Sequence, residues 1–290
     1  MKNFILKKIK VRILIIFLII IFSIISFFKI KIDSKRWINA DVTIKLPFEI
    51  DILSTGKSDF ILIECENKFI VIDCGLYENN TLIKDYLNYK GVNEIEYLIL
   101  THNDKDHIGS APMILDNFKI KNLIQANYKK NTIQYKNYIE AIERNELKPI
   151  LTSKKIIKNI NGAEIIIYPP QKDEYEKSND YSIIVGVEYG KYKFLFAADA
   201  EDERMKEFIN EETGKYTFLK MAHHGIYNKE VGNFLEAISP KYAVITSSKF
   251  MYPNKKLISL LEKYKIKTFY TSNGDISIKS DGENIYFIQK

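Results

Sequence analysis

The residues best suited to chemistry are concentrated in one stretch of the sequence, residues 101–110. His102, Asp104, Asp106 and His107 place two imidazoles and two carboxylates within six positions. Neutral imidazole and carboxylate are good ligands for first-row metal ions. The pattern therefore predicts a metal-binding loop. The alternative interpretation is a polar loop in which an aspartate caps a helix and the histidines are solvated.

The use of histidine elsewhere in the chain favours the metal site. The chain has four histidines, and the two outside this stretch are the adjacent residues His223 and His224. Chance placement would scatter four histidines along 290 residues. Their grouping predicts a single site that is assembled from two distant segments.

The predicted elements around the first stretch can position such a site. Residues 95–100 form a short apolar run typical of a buried strand, and residues 109–118 have the apolar spacing of a helix. Further helices are predicted at 80–90, 135–144, 201–209, 229–237 and 254–264. Strands are predicted at 48–53, 60–65, 69–73, 122–125, twice within 156–168, at 182–189, 192–197 and 242–246, and near Thr268, Ile276 and Tyr286. This alternation predicts an α/β chain made of two halves of similar content.

The order of the polar motifs adds a family resemblance. A His-x-Asp-x-Asp-His run after a strand is followed by Ala198-Asp199 and then by His223-His224-Gly225. Over about residues 47–288 the chain resembles the metallo-β-lactamase superfamily, and within it the hydrolase domain of ComEC-type competence proteins. The usual run of the superfamily is His-x-His-x-Asp-His, and Asp104 replaces the second histidine, as in the ComEC branch. The resemblance implies an αββα sandwich, of fold class α/β (α+β).

The resemblance also implies roles for individual residues. Asp106 and His223 are the expected catalytic residues, and one or two divalent ions, Zn or Mn, are the expected cofactor. Asp199 corresponds to a carboxylate that bridges two ions, although it could instead cap the helix that follows it. His224 is expected as a ligand and His223 as a substrate contact, with the reverse assignment open. The complete set of expected metal ligands is His102, Asp104, Asp106, His107, Asp199 and His224.

Asp73 corresponds to the first motif of the superfamily. There, an aspartate at a strand end hydrogen-bonds the ligand loop, as ligand loops require. The alternative is an aspartate that starts a turn before Gly75.

The sequence departs from the pattern of the wider superfamily or of its ComEC-like branch at three further places, the first of which the ComEC-like domains share. No histidine lies between the main motif and Asp199, which leaves Asn179, Asp180 or water to supply an oxygen ligand. Fewer nitrogen ligands shift the preference from Zn toward Mn or Mg, and a one-metal enzyme stays open. Ile226 replaces the serine that usually follows the glycine, and Tyr252 replaces a histidine.

The amino-terminal segment has the pattern of a membrane anchor. Residues 13–28 are uncharged and are bounded by Arg12 and Lys29. As a helix they would span about 24 Å, and snorkelling of the flanking basic side chains would cover the rest of the ~30 Å hydrocarbon core. We predict an uncleaved anchor (1–30), a linker (31–46) and a hydrolase domain (47–290). The alternatives are a cleaved signal peptide and a core helix.

Charge and cysteine content add two expectations. Basic residues before the span slightly outnumber those after it, which predicts a single-pass protein with its hydrolase domain outside the cytoplasm. Residues 37–290 hold 34 basic and 36 acidic residues, so they lack the basic footprint of a tight DNA binder. Cys65 and Cys74 lie far apart along a predicted hairpin, which predicts free thiols.

Together these patterns predict a membrane-anchored, metal-dependent hydrolase. The expected activity is that of a phosphodiesterase or nuclease-like enzyme that uses metal-activated water on a nucleic acid or a cell-envelope phosphodiester. One alternative is hydrolysis of a lactam, a lactone or another ester. The other is a catalytically idle binding module tethered to the membrane.

Overall fold

The computed structural model describes residues 45–212, 214–250 and 253–290, and Lys45–Lys290 form one compact unit. The predicted anchor at 13–28 and most of the predicted linker lie outside the described residues. Within these ranges no helix combines the length and the hydropathy of a membrane span.

The described ranges contain strands and helices in alternation. The strands are β1 (Phe48–Ile52), β2 (Ile61–Cys65), β3 (Lys68–Ile72), β4 (Glu94–Ile95), β5 (Tyr97–Leu100), β6 (Lys119–Ile120), β7 (Leu123–Gln125), β8 (Ile150–Leu151), β9 (Ile156–Ile160), β10 (Ala163–Tyr168), β11 (Ile184–Tyr189), β12 (Tyr192–Phe196), β13 (Phe218–Lys220), β14 (Tyr242–Ile245), β15 (Lys267–Tyr270), β16 (Ile276–Ser280) and β17 (Ile285–Gln289). The helices are α1 (Asn80–Tyr89), α2 (Lys105–Ile108), α3 (Ala111–Asn117), α4 (Ile133–Arg144), α5 (Asp202–Glu211), α6 (Val231–Ile238) and α7 (Lys255–Lys263).

Two large sheets pack face to face. One runs in the order β17-β16-β1-β2-β3-β5-β7-β8 and the other in the order β15-β14-β13-β12-β11-β10-β9. Ile50 and Ile63 of the first sheet share a buried cluster with Ile165 and Phe194 of the second. Burial of each such side chain contributes about 1.5–3 kcal/mol relative to exposure. The main core therefore lies between the sheets.

Helices cover the outer faces of both sheets. Because side chains alternate along a strand, Leu195 points away from the central core and packs with Phe208 of α5 and Phe234 of α6. On the other side, α1 buries its apolar face, and the ring of Tyr86 meets that of Phe60 edge-on. The layers are helix, sheet, sheet and helix, as in the predicted αββα sandwich.

The parallel strands bring distant loops together. In the first sheet β3, β5 and β7 are parallel, and in the second β12, β13 and β14 are parallel. Loops at the carboxyl ends of parallel strands meet at one edge of a sheet, where α/β proteins bind ligands. Asp73, His102, Asp199 and His223 all follow such strand ends.

The elements differ from expectation in detail. The predicted metal-binding loop at residues 101–110 is not irregular throughout, because Asp106 and His107 lie in the short helix α2. The two-residue strands β4, β6 and β8 were not predicted, since two residues show no periodicity. Both cysteines are buried and free, which confirms the expected thiols.

Candidate metal centre

Four side chains from the two halves of the chain converge on one point. Their ligand atoms, from Asp106, His107, Asp199 and His224, all lie within 4.8 Å of one another. His107 Nε2 is 3.3 Å from Asp199 Oδ1, and His224 Nε2 is 3.4 Å from both Asp106 Oδ2 and Asp199 Oδ2. The Asp106 side chain is 22% exposed, whereas the other three are buried. The group is thus shielded from solvent at His107, Asp199 and His224 and open to solvent at Asp106.

The polar atoms that face this point have no hydrogen-bond partners among the described residues. They are His102 Nε2, His107 Nε2, His224 Nε2 and Asp199 Oδ1, and all are buried. An unsatisfied buried polar atom costs about 1–3 kcal/mol. A cation that accepts their lone pairs removes that cost, so the donor set fits a divalent metal ion.

The position of α2 depends on Gly109 at its end. A Cβ at Gly109 would lie 2.4 Å from Tyr77 N and 2.7 Å from Leu76 C, so only glycine allows this close approach. Ser110 Oγ then donates a 2.5 Å hydrogen bond to Leu76 O. These contacts hold the helix that carries Asp106 and His107.

Asp73 orients the ligand loop, as predicted. Its Oδ2 lies 2.7 Å from His107 Nδ1, and its Oδ1 accepts a hydrogen bond from Thr101 N at 2.8 Å. An imidazole bonded in this way through Nδ1 presents Nε2 to the group. Asp73 therefore acts through His107 and lies behind the group itself.

The electrostatics of the group favour a cation. Burial alone would raise the pKa of Asp199, but the imidazoles of His224 and His107 outweigh it and hold that pKa well below its ordinary range. Burial alone would lower the pKa of His107, but Asp199 and Asp73 hold it well above its ordinary value. Protons and metal ions therefore compete for the same nitrogen atoms.

His102 and Asp104 lie outside the group of four. His102 Nε2 is 3.9 Å from Asp199 Oδ2, and its ring centroid is 4.0 Å from that of His107. Burial and the charge of His107 lower the pKa of His102 to about 3, so its ring is neutral. Asp104 forms an ion pair with Lys130 instead. His102 therefore lies next to the centre. Asp104, predicted as a ligand, is instead paired with Lys130, a residue outside the motif.

The two adjacent histidines occupy different environments. His224 is buried in the group, whereas the His223 side chain is 18% exposed, with Nε2 3.8 Å from Asp199 Oδ2 and Nδ1 3.3 Å from Glu201 Oε1. Their φ angles of 46° and 50° are left-handed, a conformation that costs non-glycine residues free energy and concentrates at functional sites. This geometry favours His224 as ligand and His223 as the residue that faces substrate.

Asp180 has the role that the alternative interpretation gave to Asp199. Its Oδ1 accepts hydrogen bonds from Glu201 N and Arg204 N and so caps α5. Asn179 Nδ2 donates a 2.8 Å bond to Glu201 Oε1. Asp180 is thus a helix cap, not the oxygen ligand considered from the sequence, and Asp199 is free to join the centre.

Sequence reasoning missed a buried ion pair beneath the centre. Asp59 and Lys220 are both buried and pair with each other, and Lys220 Nζ also donates to Ala198 O at 3.1 Å. A charged residue is seldom fully buried without a partner. The signal in the sequence is Lys220 within the apolar run 218–222, because a buried lysine indicates a buried carboxylate partner.

The chain is similar to known proteins in sequence and in fold. A profile of the metallo-β-lactamase superfamily matches residues 54–247. The chain is 26% identical to ComE operon protein 3 of Bacillus subtilis over 199 residues, 67% of this chain and 26% of that protein. It is 26% identical to Recombination protein 2 of Haemophilus influenzae over 229 residues, 76% of this chain and 27% of that protein. These curated relatives are ComEC-type competence proteins, which confirms the predicted resemblance.

The chain spans about a quarter of the length of these relatives. Among solved structures, the metallo-β-lactamase fold protein YhfI from Bacillus subtilis superposes with a TM-score of 0.53 at 9% identity, covering 83% of this chain and 100% of that one. At that identity the likeness shows the fold alone. Because the superfamily profile spans more than half of the chain and includes both segments that form the centre, the chain belongs to the metallo-β-lactamase superfamily.

Proposed function

We propose that this chain is a metal-dependent phosphodiesterase, nuclease-like in its chemistry and anchored in the membrane. The observation that carries the proposal is the buried centre of two imidazoles and two carboxylates, which opens to solvent at Asp106 and is flanked by His223. Residues 13–28 would provide the anchor, and the charge bias around them would place the hydrolase domain outside the cytoplasm.

The metal ligands would be Asp106, His107, Asp199 and His224, with His102 beside them. The equal share of oxygen and nitrogen suits Mn as well as Zn. When bound, a divalent ion lowers the pKa of water and neutralises charge on a phosphate group. The buried ligands hold the ion, and Asp106 presents a carboxylate at the solvent side, where it can accept a hydrogen bond from water.

His223 is placed to act on substrate. Glu201 lies 3.3 Å from its Nδ1, and Asn179 Nδ2 lies 3.3 Å from the same atom. The carboxylate of Glu201 can accept the Nδ1 proton and so hold the ring. With Nδ1 protonated, the positioned imidazole can accept a proton at Nε2 and, once charged, can donate it to an oxygen of the substrate.

A phosphodiester fits this centre better than a lactam or lactone does. A centre with as many carboxylates as imidazoles accepts ions such as Mn, which bind phosphate oxygens. The curated relatives carry names from competence and recombination. The near-neutral balance of residues 37–290 argues against tight binding of duplex DNA, so a weakly bound nucleic acid or a cell-envelope phosphodiester is the proposed substrate.

A substrate panel tests the proposal. The full-length protein in detergent, treated with a chelator and then loaded with Mn or Zn, is assayed on bis(p-nitrophenyl) phosphate, a chromogenic lactam and a lactone. We expect turnover of the phosphodiester, loss of activity in the chelator, and recovery with Mn at least equal to that with Zn. Faster turnover of the lactam or lactone would favour acyl hydrolysis. Absence of bound metal would favour an idle binding module.

Variants then separate the roles of the residues. Asp106→Asn should abolish hydrolysis without unfolding the protein, whereas Asp116→Asn, on the surface beside Arg144, should not change it. His223→Ala should lower turnover by roughly 10²–10⁴-fold but leave the metal content intact. His224→Ala should lower both. Full activity of Asp106→Asn would refute the assignment of the centre.

A further inference from the structure

Two buried threonines connect carboxylates to histidines of the centre. Thr246, directly after β14, has its Oγ1 2.7 Å from Asp59 Oδ1 and 2.9 Å from His224 Nδ1. Thr101, directly after β5, has its Oγ1 2.7 Å from Asp73 Oδ2 and 3.2 Å from His102 Nδ1. Both threonines are fully buried. Each threonine thus links an aspartate from the first half of the chain to a histidine, Asp59 to His224 and Asp73 to His102.

The proton count at Thr246 settles which nitrogen of His224 carries hydrogen. Asp59 is ion-paired with Lys220 and is therefore an acceptor only. Thr246 has one hydroxyl proton and donates it to Asp59 Oδ1. Its oxygen must then accept a hydrogen bond from His224 Nδ1, so Nδ1 carries a proton.

The consequence for the centre is an oriented lone pair. In a neutral imidazole protonated at Nδ1 the lone pair lies on Nε2. His224 Nε2 is the atom 3.4 Å from both Asp106 Oδ2 and Asp199 Oδ2. Asp59 by itself would orient the His224 ring less well than Thr246 does, because Asp59 Oδ1 is 3.5 Å from His224 Nδ1 and Thr246 Oγ1 is 2.9 Å from it. The Thr246 hydroxyl therefore connects the Asp59 carboxylate to the His224 ring by two hydrogen bonds.

We propose that Thr246 is a positioning residue, which holds His224 as the Nδ1-protonated tautomer so that Nε2 serves as a metal ligand, with Thr101 in the same role toward His102. The inference rests on the proposed metal-dependent function for its consequence, since it assumes that a cation binds at the centre. The tautomer itself can be observed without any turnover.

The test compares two substitutions of Thr246 in the full-length protein. Thr246→Val keeps the shape and removes the hydroxyl, whereas Thr246→Ser keeps the hydroxyl and removes a methyl group. Loss of a group that orients a ligand typically weakens metal binding by roughly 10–100-fold. We expect that loss in Thr246→Val, measured with zinc alone in competition with a chromogenic chelator, and a change of less than about threefold in Thr246→Ser. Thr268→Val is the matched control, because Thr268 Oγ1 bonds only a backbone oxygen among the described residues.

Ring ¹⁵N NMR spectra at saturating zinc give the second readout. We expect a protonated Nδ1 on His224 in the wild type and in Thr246→Ser, and a change of that signal in Thr246→Val. Equal zinc affinity and an unchanged signal in Thr246→Val would overturn the proposal. So would an equal loss in Thr246→Ser, because the cause would then be packing. If the wild type bound no zinc, the proposed function would fail, and the ring spectra of the metal-free protein would still decide the role of Thr246.

Discussion

Replacement of Lys220 by methionine tests how much the buried ion pair between Lys220 and Asp59, next to the centre, stabilises the protein. The ammonium of Lys220 is fully buried, pairs with Asp59, and lies 4.0 Å from Asp199 Oδ1. Methionine keeps the length of the side chain and removes its charge. The substitution leaves two buried carboxylates without the lysine that lies between them.

The expected cost follows from burial and distance. At a separation of about 3 Å and an effective dielectric constant of about 20, two unit charges attract by roughly 5 kcal/mol. Desolvation of both groups opposes this attraction, and removal of one partner of a buried pair costs about 3–5 kcal/mol in measured cases. We expect Lys220→Met to lower the free energy of unfolding of the metal-free protein by about that amount.

Equilibrium unfolding in urea measures the effect, with Lys119→Met as the matched control. Lys119 forms an ion pair with Glu94 on the surface, where its side chain is 73% exposed, and its loss should not be measurable. The double variant Lys220→Met with Asp59→Asn should recover most of the lost stability, because no buried charge then remains unpaired at that position. A cost below about 1 kcal/mol for Lys220→Met, or no recovery in the double variant, would refute this account of the pair.

Three further predictions concern other parts of the chain. Lys90, whose side chain is 11% exposed, lies 3.1 Å from Glu49, 3.1 Å from Asp51 and 3.2 Å from Glu64. Lys90→Met should lower the free energy of unfolding by about 3 kcal/mol, the lower end of the range for buried pairs, in the same unfolding assay. Burial would raise the pKa of Asp51, but Lys90 and the Ser277 hydroxyl outweigh it and hold that pKa below its ordinary value. The stabilisation is therefore fully present above the unfolded-state pKa and is lost as the pH falls through the lower folded-state pKa. Burial raises the pKa of Cys65 to about 12 and that of Cys74 well above its ordinary value, so a thiol reagent at pH 8 should label neither in the native protein and both after denaturation. The full-length protein should stay in the membrane fraction after carbonate washing, and release of a shortened form that starts near residue 41 would instead indicate a cleaved signal peptide.

Local patterns account for what the sequence could predict. The spacing of His102, Asp106 and His107 is a property of six consecutive residues, and the periodicity of α1 or β5 is a property of ten or fewer. Such features depend little on the remainder of the chain. The alternation of strands and helices predicted the layers of the fold for the same reason.

Partners that are distant in the chain account for what the sequence could not predict. Asp59 meets Lys220 across 161 positions and Thr246 across 187. No local pattern chooses between Asp59 and the other acidic residues as the partner of a buried lysine. Asp104 has the residue type and the spacing of a ligand, but its nearest cation is Lys130, which only the folded chain brings to it.

The same long separations determine when the centre can form during synthesis. Asp59 N donates to Asp106 O, and the Asp59 carboxylate bonds Lys220 and Thr246, so one residue near the start of the domain joins segments that leave the ribosome far apart in time. A nascent chain that has emerged only as far as β12 has Asp106 and His107 but lacks Asp199, Lys220, His224 and Thr246. The first half can therefore collapse around its own strands, while capture of a cation by the four-residue centre must follow synthesis of His224, and the hydrogen bond from Thr246 forms later still.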